Sequence, residues 1–329
     1  MKVAVVGVGA VGARAARQLA SSDGVAHIEV RDTDAEKVGI VVGSLGRDRS
    51  SDASGNDDVA GVDVAVLAGP SGTHADLARR YVDARIPVVS VSDDLDDVRA
   101  LLALDATAAH NGVAVVVGAG FSPGLSCVLV AHAATLYDIV DEVHVAKVGT
   151  GGPACASTHH HALANASVDW RDGQWVTRRA GSGRELCWFP DPIGGEDCYR
   201  AAVPDAVLLQ RALPGVQRIT GRVAANRRDR ITARFPMLRP PHPEGGVGAV
   251  RVEVRGRRGN ARDVHVLGAM DRPAVAAGAV AAIAAIAAVT GGVRRAGAGG
   301  LAEMVEPVSF LAELARRGVK AAVFEGAAS

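Results

Sequence analysis

The chain is poor in the residues that mark several common classes of protein. Its 329 residues include four cysteines, which form no C-x-x-C pair and no spacing typical of zinc ligands. We therefore expect reduced thiols, a cytoplasmic location and no metal site. Lysine plus arginine and aspartate plus glutamate number 36 each, so no net field would attract nucleic acid or an anionic membrane. The partner expected instead is a small molecule.

One uncharged stretch has the length of a membrane span but other features of an interior helix. Residues Pro273 to Thr290 are rich in alanine and carry no charge, and alanine is only weakly apolar. Asp271 and Pro273 precede the helix and Gly291 follows it, which are helix start and stop signals. We interpret the stretch as a buried helix and predict no membrane partner.

The first 32 residues contain, in this order, a predicted strand, a glycine-rich turn, a helix, a second strand and an acid, which is the order found in dinucleotide-binding units. A β-branched run from Lys2 leads into Gly7-Val-Gly9-Ala-Val-Gly12, a G-x-G-x-x-G motif that opens a helix predicted over Ala13–Ala20. A second strand, Ile28–Arg31, ends on Asp32, twenty residues after Gly12. This spacing suits a carboxylate on the adenosine ribose and a pyrophosphate on the helix N-terminus. The residues expected to bind the cofactor here are Gly7, Gly9, Ala10, Val11, Gly12, Arg31 and Asp32.

Each part of the motif has its own physical role. Gly7 permits a tight turn, Gly9 lets the backbone approach the pyrophosphate, and Gly12 lets the helix pack closely on the sheet. The charge of Asp32 would repel the 2′-phosphate of NADP, which favours NAD. Arg31 could instead clamp that phosphate, so NADP stays open as the second cofactor.

Strands and helices continue to alternate after Asp32. The predicted strands are Val62–Ala68, Pro87–Val91 and Val113–Val117, and the predicted helices are His74–Ala84 and Val98–His110. This order predicts an α/β fold in which residues 1–122 form a doubly wound parallel sheet of the Rossmann type. Ligands lie beyond the carboxyl ends of such strands, so three loops should face the cofactor. They are Ala68 to Ser71 with Gly69, Pro70 and Ser71, then Ser90 to Asp94, and Gly118 to Pro123 with Gly120 and Phe121.

The sequence pattern changes after residue 140. Short alternating segments predict strands at Glu142–Val148, Gln217–Val223, Ile231–Phe235, Ala249–Val254 and Asp263–Leu267. Residues 123–271 are therefore expected to form a second α+β domain on a mainly antiparallel sheet, which would bind substrate and dimerise. The proline-rich stretch from Pro236 to Gly246 predicts a long loop. Residues 272–329 are expected to return to the first domain as helices.

A second glycine motif carries a family resemblance. Gly118-Ala-Gly120-Phe-Ser-Pro123-Gly124-Leu-Ser126 follows the last predicted strand of the first domain. With the N-terminal motif and a helix predicted over Pro307–Gly318, the chain resembles the saccharopine dehydrogenase-like reductases. The resemblance implies an NAD(P)-dependent oxidoreductase that acts on a C–N bond of an amino-acid derivative.

Two other functions stay open. Sugar-type oxidoreductases of the Gfo/Idh/MocA group share the first domain but carry Glu-Lys-Pro after the fifth strand, where this chain has Val89-Ser90-Val-Ser92-Asp93-Asp94. The lysine missing there argues against alcohol oxidation by that mechanism, since an iminium carbon accepts hydride without an acid or base. The other alternative is a non-catalytic dinucleotide-binding sensor or partner subunit. A homodimer is the default expectation.

Catalytic and substrate-binding candidates are named by residue type and position. The catalytic candidates are His159, His160, Lys147 and Asp93. His159-His160-His161 follows a Gly-Gly-Pro break near Lys147, and it is either a surface loop without a function or the source of one proton or hydrogen-bond donor. Asp93 and Asp94 would either hydrogen-bond a substrate amine or cap the next helix. Arg184 and Arg234 are the candidates for a substrate carboxylate. One aromatic residue of the second domain is expected over the nicotinamide pocket; the candidates are Trp170, Trp175, Trp188 and Phe189.

Overall fold

The computed structural model describes residues 1–56, 58–237, 241–319 and 321–324. Its sixteen strands within that part of the chain are β1 (Lys2–Val6), β2 (His27–Arg31), β3 (Ser50–Asp52), β4 (Val64–Leu67), β5 (Val88–Ser90), β6 (Ala114–Val117), β7 (Ile139–Val148), β8 (Ser167–Arg171), β9 (Gln174–Arg178), β10 (Glu185–Trp188), β11 (Gly195–Arg200), β12 (Arg218–Ala224), β13 (Gly248–Arg258), β14 (Ala261–Asp271), β15 (Gly297–Gly300) and β16 (Ala321–Phe324).

The same residues contain twelve helices. They are α1 (Ala10–Ala20), α2 (Ala35–Leu45), α3 (His74–Asp83), α4 (Leu95–Leu102), α5 (Asp105–His110), α6 (Leu125–Ala134), α7 (Pro153–Ala164), α8 (Asp205–Ala212), α9 (Arg227–Thr232), α10 (Pro273–Thr290), α11 (Leu301–Met304) and α12 (Pro307–Arg316).

The first sheet is parallel throughout and has the strand order β15-β6-β5-β4-β1-β2-β3. Its central strands are fully buried, as in Val64–Leu67, because helices cover both faces of a parallel sheet. This confirms the predicted Rossmann-type sheet. Strands β3 and β15 were not predicted, and the Gly-Ala-Gly-Gly sequence of β15 contains no residue typical of strands.

The second sheet has nine strands and is mainly antiparallel, as predicted. Its order is β10-β11-β12-β7-β13-β14-β16, with β8 and β9 attached beside β12. The exception is the pairing of β12 with β7, which is parallel. Strands β8 to β11 occupy residues 167–200, a region for which no strand was predicted.

Three predicted elements were wrong. Ile231–Phe235 is no strand, because an Asn226–Asp229 capping box starts α9 just before it. The helix predicted over Val98–His110 is two helices, α4 and α5. The three histidines lie within α7 rather than on a surface loop.

Helix α10 packs against the first sheet and β15 joins it, but β16 pairs with β14 of the second sheet, so the described part of residues 272–329 is not all helical and does not all return to the first domain. Helix α10 is long and apolar enough to cross a membrane by composition, but 67% of it is buried inside the molecule. A Cβ atom at Gly278 would lie 2.6 Å from Cβ of Arg14, so only glycine lets α10 approach α1 this closely. This packing favours the interpretation of α10 as an interior helix. Of the predicted loop from Pro236 to Gly246, residues 238–240 lie outside the described residues.

Candidate active site

A cavity of about 510 Å³ lies where the carboxyl ends of the first sheet meet the end of β7 in the second sheet. Twelve of the residues singled out from the sequence line it: Gly7, Gly9, Ala10, Val11, Asp32, Gly69, Pro70, Ser71, Asp93, Gly120, Phe121 and Lys147. Helix α7 contributes Pro153, Ala154, Cys155 and Thr158 to the lining. The cavity is therefore built by both sheets.

The glycine turn between β1 and α1 leaves room for a ligand at one position only. Gly7 has φ of +90°, and a Cβ there would lie 2.4 Å from the amide nitrogen of Gly69. A Cβ at Gly12 would lie 1.9 Å from the carbonyl oxygen of Gly7. At Gly9, by contrast, a Cβ would meet no atom within 4 Å. Gly7 and Gly12 serve the fold, whereas the space over Gly9 is free for a phosphate.

The N-terminus of α1 faces this space without a side-chain cap. Gly9 is the N-cap residue, and no side chain accepts a hydrogen bond from the first turn. Free amide groups and the positive end of the helix dipole bind anions at such a position. The turn therefore fits the pyrophosphate of a dinucleotide.

A second cavity of about 390 Å³ continues from the first past Asp32. One carboxylate oxygen of Asp32 accepts a hydrogen bond from the Val8 amide at 2.7 Å. The guanidinium of Arg31 is held by Glu29 Oε2 at 2.8 Å and by the carbonyl of Asp58 at 2.7 Å. Because Arg31 is already paired while Asp32 presents its charge at the cavity, the geometry fits the ribose of NAD better than a 2′-phosphate.

A lysine, a carboxylate and a thiol meet in the lining of the first cavity. Lys147, which is 5% exposed, places Nζ 3.4 Å from Asp93 Oδ2 and donates to the carbonyl oxygen of Ser122 at 3.0 Å. Cys155 Sγ lies 3.3 Å from the same oxygen of Asp93. Asp94, the neighbouring acid, instead caps α4 through the amides of Asp96 and Asp97. Of the two predicted acids, one caps a helix and the other faces the cavity.

The charges of this group shift its pKa values. Burial lowers the pKa of Lys147, but the negative charges of Asp93 and Asp205 outweigh it and leave that pKa raised. Burial, followed by the charge of Asp93, raises the pKa of the Cys155 thiol to about 12. At neutral pH, Lys147 is a charged proton donor and Cys155 a neutral thiol.

The predicted histidines stand behind this group and do not line the cavity. Burial, with the charge of Lys147 in second place, lowers the pKa of His159 to about 3, and its Nδ1 atom is enclosed without a partner among the described residues. His160 Nε2 lies 2.7 Å from the carbonyl oxygen of Phe235. A neutral, enclosed His159 is not suited to the proton-donor role predicted for it.

The predicted substrate arginines and aromatics lie elsewhere. Arg184 is exposed and pairs with Asp197 at 2.9 Å, and Arg234 is also exposed. Among the four candidate aromatics, Trp175 and Trp188 are exposed and Phe189 is core, and none lines either cavity. The aromatic residue at the first cavity is Phe121, from the second glycine motif.

Residues 1–119 match the model of the Gfo/Idh/MocA group, described as an oxidoreductase family with an NAD-binding Rossmann fold. The N-terminal domain is an NAD-binding Rossmann domain. This bears out the cofactor predicted from the glycine turn and Asp32. No curated protein sequence is a significant match to the chain.

Solved structures resemble the NAD-binding domain together with the second domain. Saccharopine dehydrogenase (L-Glu forming) from Saccharomyces cerevisiae has a TM-score of 0.68 and 12% identity, over 98% of this chain and 99% of that one. Homospermidine synthase from Legionella pneumophila, solved with NAD, has a TM-score of 0.70 and 12% identity, over 99% and 92%. Amine dehydrogenase from Mycobacterium smegmatis has 0.52 and 13%, over 93% and 96%. The predicted resemblance to saccharopine dehydrogenases is confirmed for the fold.

Proposed function

We propose that this protein is an NAD-dependent dehydrogenase or reductase acting on a C–N bond of a small amine or amino-acid derivative. The observation that carries the proposal is the Lys147–Asp93 pair, which lies in the same cavity as the glycine turn of the NAD site. A protonated iminium carbon accepts hydride without a proton donor, but hydride transfer to a neutral imine or a carbonyl needs a group that supplies a proton to the nitrogen or oxygen.

The pair supplies that proton chemistry. NAD, when bound, supplies the hydride acceptor or donor. In the direction of reduction, the Lys147 ammonium can donate a proton to a developing nitrogen or oxygen anion. In the direction of oxidation, the Asp93 carboxylate can bind a substrate ammonium, accept a proton from it and pass that proton to the neutral amine of Lys147. Because Lys147 is buried and Asp93 is only partly exposed, each proton movement takes place in a medium where charge interactions are stronger than in water.

The choice of a C–N bond is supported by the names of the structural neighbours. Saccharopine dehydrogenase, homospermidine synthase and amine dehydrogenase are named for amino or amine compounds, and all three share this fold along nearly the whole chain. The inference remains one of analogy, since one fold hosts many reactions.

A second function, alcohol oxidation, is favoured by a specific observation. The sequence argument against it was that no lysine follows the fifth strand. In the structure a lysine reaches the site from β7 instead, as Lys147. A proton-transfer group for an alcohol is therefore present, and the family match of the first domain suits this alternative equally well.

One experiment separates these functions. The purified protein is given NADH with amine and carbonyl pairs, including 2-oxo acids and aldehydes, and separately NAD with polyols and aldoses. Deuteride transfer from 4-deuterated NADH into a product amine, detected by mass spectrometry, supports the proposal. Turnover of polyols alone contradicts it in favour of the sugar-type reaction. Tight NADH binding without turnover favours the sensor or partner-subunit hypothesis. The homodimer and the cytoplasmic location stay predictions.

A further inference from the structure

A buried acid lies beneath the second glycine motif. Asp205, the first residue of α8, is 1% exposed. Its Oδ1 accepts hydrogen bonds from Ser122 Oγ at 3.0 Å and from Ser126 Oγ at 2.7 Å. Its Oδ2 is enclosed and has no hydrogen-bond partner among the described residues. A carboxyl group buried this deeply lowers the free energy of unfolding unless a nearby positive charge or hydrogen-bond donors compensate it.

Ser122 joins this acid to the active site. Its hydroxyl donates to Asp205, while its carbonyl oxygen accepts from Lys147 Nζ at 3.0 Å. Ser126, in the first turn of α6, donates its hydroxyl to the same oxygen of Asp205 from the C-terminal side of Pro123 and Gly124. The two serines bracket Pro123 and Gly124, and a Cβ at Gly124 would lie 2.1 Å from the carbonyl oxygen of Gly120. The turn that presents its carbonyl to Lys147 is therefore tightly constrained.

The titratable groups around Lys147 lie on three other parts of the chain. Asp93 lies after β5, Cys155 and His159 lie on α7, and Asp205 lies on α8. Asp205 adds to the field that holds the lysine proton, and the field of Lys147 in turn opposes the effect of burial on Asp205. A single buried ammonium thus faces two carboxyl groups, one in the cavity and one behind it.

We propose that Asp205 is a positioning residue for Lys147, because it fixes the Ser122–Pro123 turn whose carbonyl oxygen accepts a hydrogen bond from the ammonium. As a contribution to the reaction this inference rests on the proposed function. As a statement about Lys147 it can be tested without any substrate.

The composition of the chain makes the test direct. There are four lysines, Lys2, Lys37, Lys147 and Lys320, so ¹³Cε and ¹⁵Nζ labelling of lysine gives four resolvable groups. Lys147→Met assigns the signal of the buried ammonium. Its pKa and its solvent-exchange broadening are then measured in the full chain for the wild type, Asp205→Asn and Ser122→Ala. Asp169→Asn serves as a matched control, because Asp169 is also buried but pairs with Arg200.

The two variants separate charge from geometry. Asp205→Asn keeps an oxygen for both serine hydroxyls and removes the charge, so it should lower the pKa of Lys147 by about one unit or more. Ser122→Ala should broaden the ammonium signal through faster exchange and change the pKa less. Asp169→Asn should change neither. If the pKa and the exchange of Lys147 are unchanged in both Asp205→Asn and Ser122→Ala, the inference is wrong.

Activity then reports on the proposed function separately. If the lysine signal shifts as expected but Lys147→Met leaves turnover intact, the positioning role stands and the proposed catalytic role of Lys147 fails. If both hold, Asp205→Asn should lower kcat with little change in KM and shift the pH profile of kcat in the direction of the lysine pKa.

Discussion

Lys147 Nζ lies 3.4 Å from Asp93 Oδ2 although the two residues are 54 positions apart and belong to different sheets. Lys147 is the second-last residue of β7 in the second sheet, and Asp93 follows β5 of the first. The pair therefore exists only when the two sheets are packed together. Other ion pairs also join the two domains, such as Arg14–Glu244 and Arg211–Asp105, but Lys147 and Asp93 both line the cavity that holds the glycine turn.

The first prediction concerns this pair. Lys147→Met should lower kcat by about 10²- to 10⁴-fold, the usual range for the loss of a positioned proton donor. NADH affinity should change by less than about threefold, because Lys147 is not part of the glycine turn and helix N-terminus expected to bind the pyrophosphate. Steady-state kinetics and nicotinamide fluorescence measure the two quantities.

The partner residue provides the control. Asp93→Asn should cause a similar loss, and the double variant should lose little more than either single one, since residues that act as a unit are not additive. Independent, multiplicative losses would contradict a shared role. Asp96→Asn, which removes an exposed acid from the same segment, should leave kcat unchanged.

The second prediction concerns the phosphate position over Gly9. Gly9→Val should abolish NADH binding while the melting temperature stays within a few degrees, because Gly9 has ordinary φ of −65° and a Cβ there meets no protein atom. Titration calorimetry and thermal melting check the two parts. Gly12→Ala is the contrasting variant: its Cβ would collide with the Gly7 carbonyl, so it should destabilise the fold itself. Retained NADH affinity in Gly9→Val would contradict the assignment of this turn as the pyrophosphate-binding site.

The first sheet could be predicted from the sequence because its signals are local. A glycine motif after a β-branched run, an acid twenty residues later and continuous apolar strands each lie within one short segment. The strand β15 escaped prediction because glycine and alanine have no strand preference, and it is held by pairing with β6. The residues of β8 to β11 alternate weakly and are exposed in places, as in Glu185–Trp188.

The active-site group was less predictable because it is assembled by contacts that are distant in sequence. Asp93 and Asp94 have the same local context, yet Asp94 caps α4 and Asp93 pairs with a lysine from another sheet. The histidine run drew attention as a proton donor, whereas burial in α7 makes His159 neutral. The second glycine motif was the usable signal for Ser122, since that motif had been expected to face the cofactor.

The third prediction concerns cofactor choice. Asp32→Asn removes the charge beside the ribose while keeping an oxygen for the Val8 amide. NADPH affinity should rise by about tenfold, and adding Glu29→Gln should raise it further by releasing the Arg31 guanidinium. Competitive titration with NADH and NADPH measures both changes. Glu36→Gln, an exposed acid on the neighbouring helix α2, should leave the ratio unchanged. No gain of NADPH binding in the double variant would mean that Arg31 does not face the 2′ position.

The last prediction is a pH dependence of stability that comes from His159. Its pKa is lowered from 6.5 to about 3 in the folded protein, so the unfolded chain binds a proton there before the folded chain does. This contribution to stability is fully present above about pH 6.5 and is lost as the pH falls toward 3. Between about pH 7.5 and 4.5 the wild type should lose on the order of 2–3 kcal/mol from this group alone.

Urea unfolding at those two pH values tests the effect in the wild type and in His159→Gln. Any cost of the substitution that does not depend on pH cancels when the two pH values are compared within one variant, so the readout is the difference in unfolding free energy. That difference should shrink in His159→Gln and stay unchanged in His110→Gln, which alters an exposed histidine of α5. An equal loss in all three proteins would mean that His159 takes up its proton in the folded state, and it would then be available as the proton donor that its enclosure argues against.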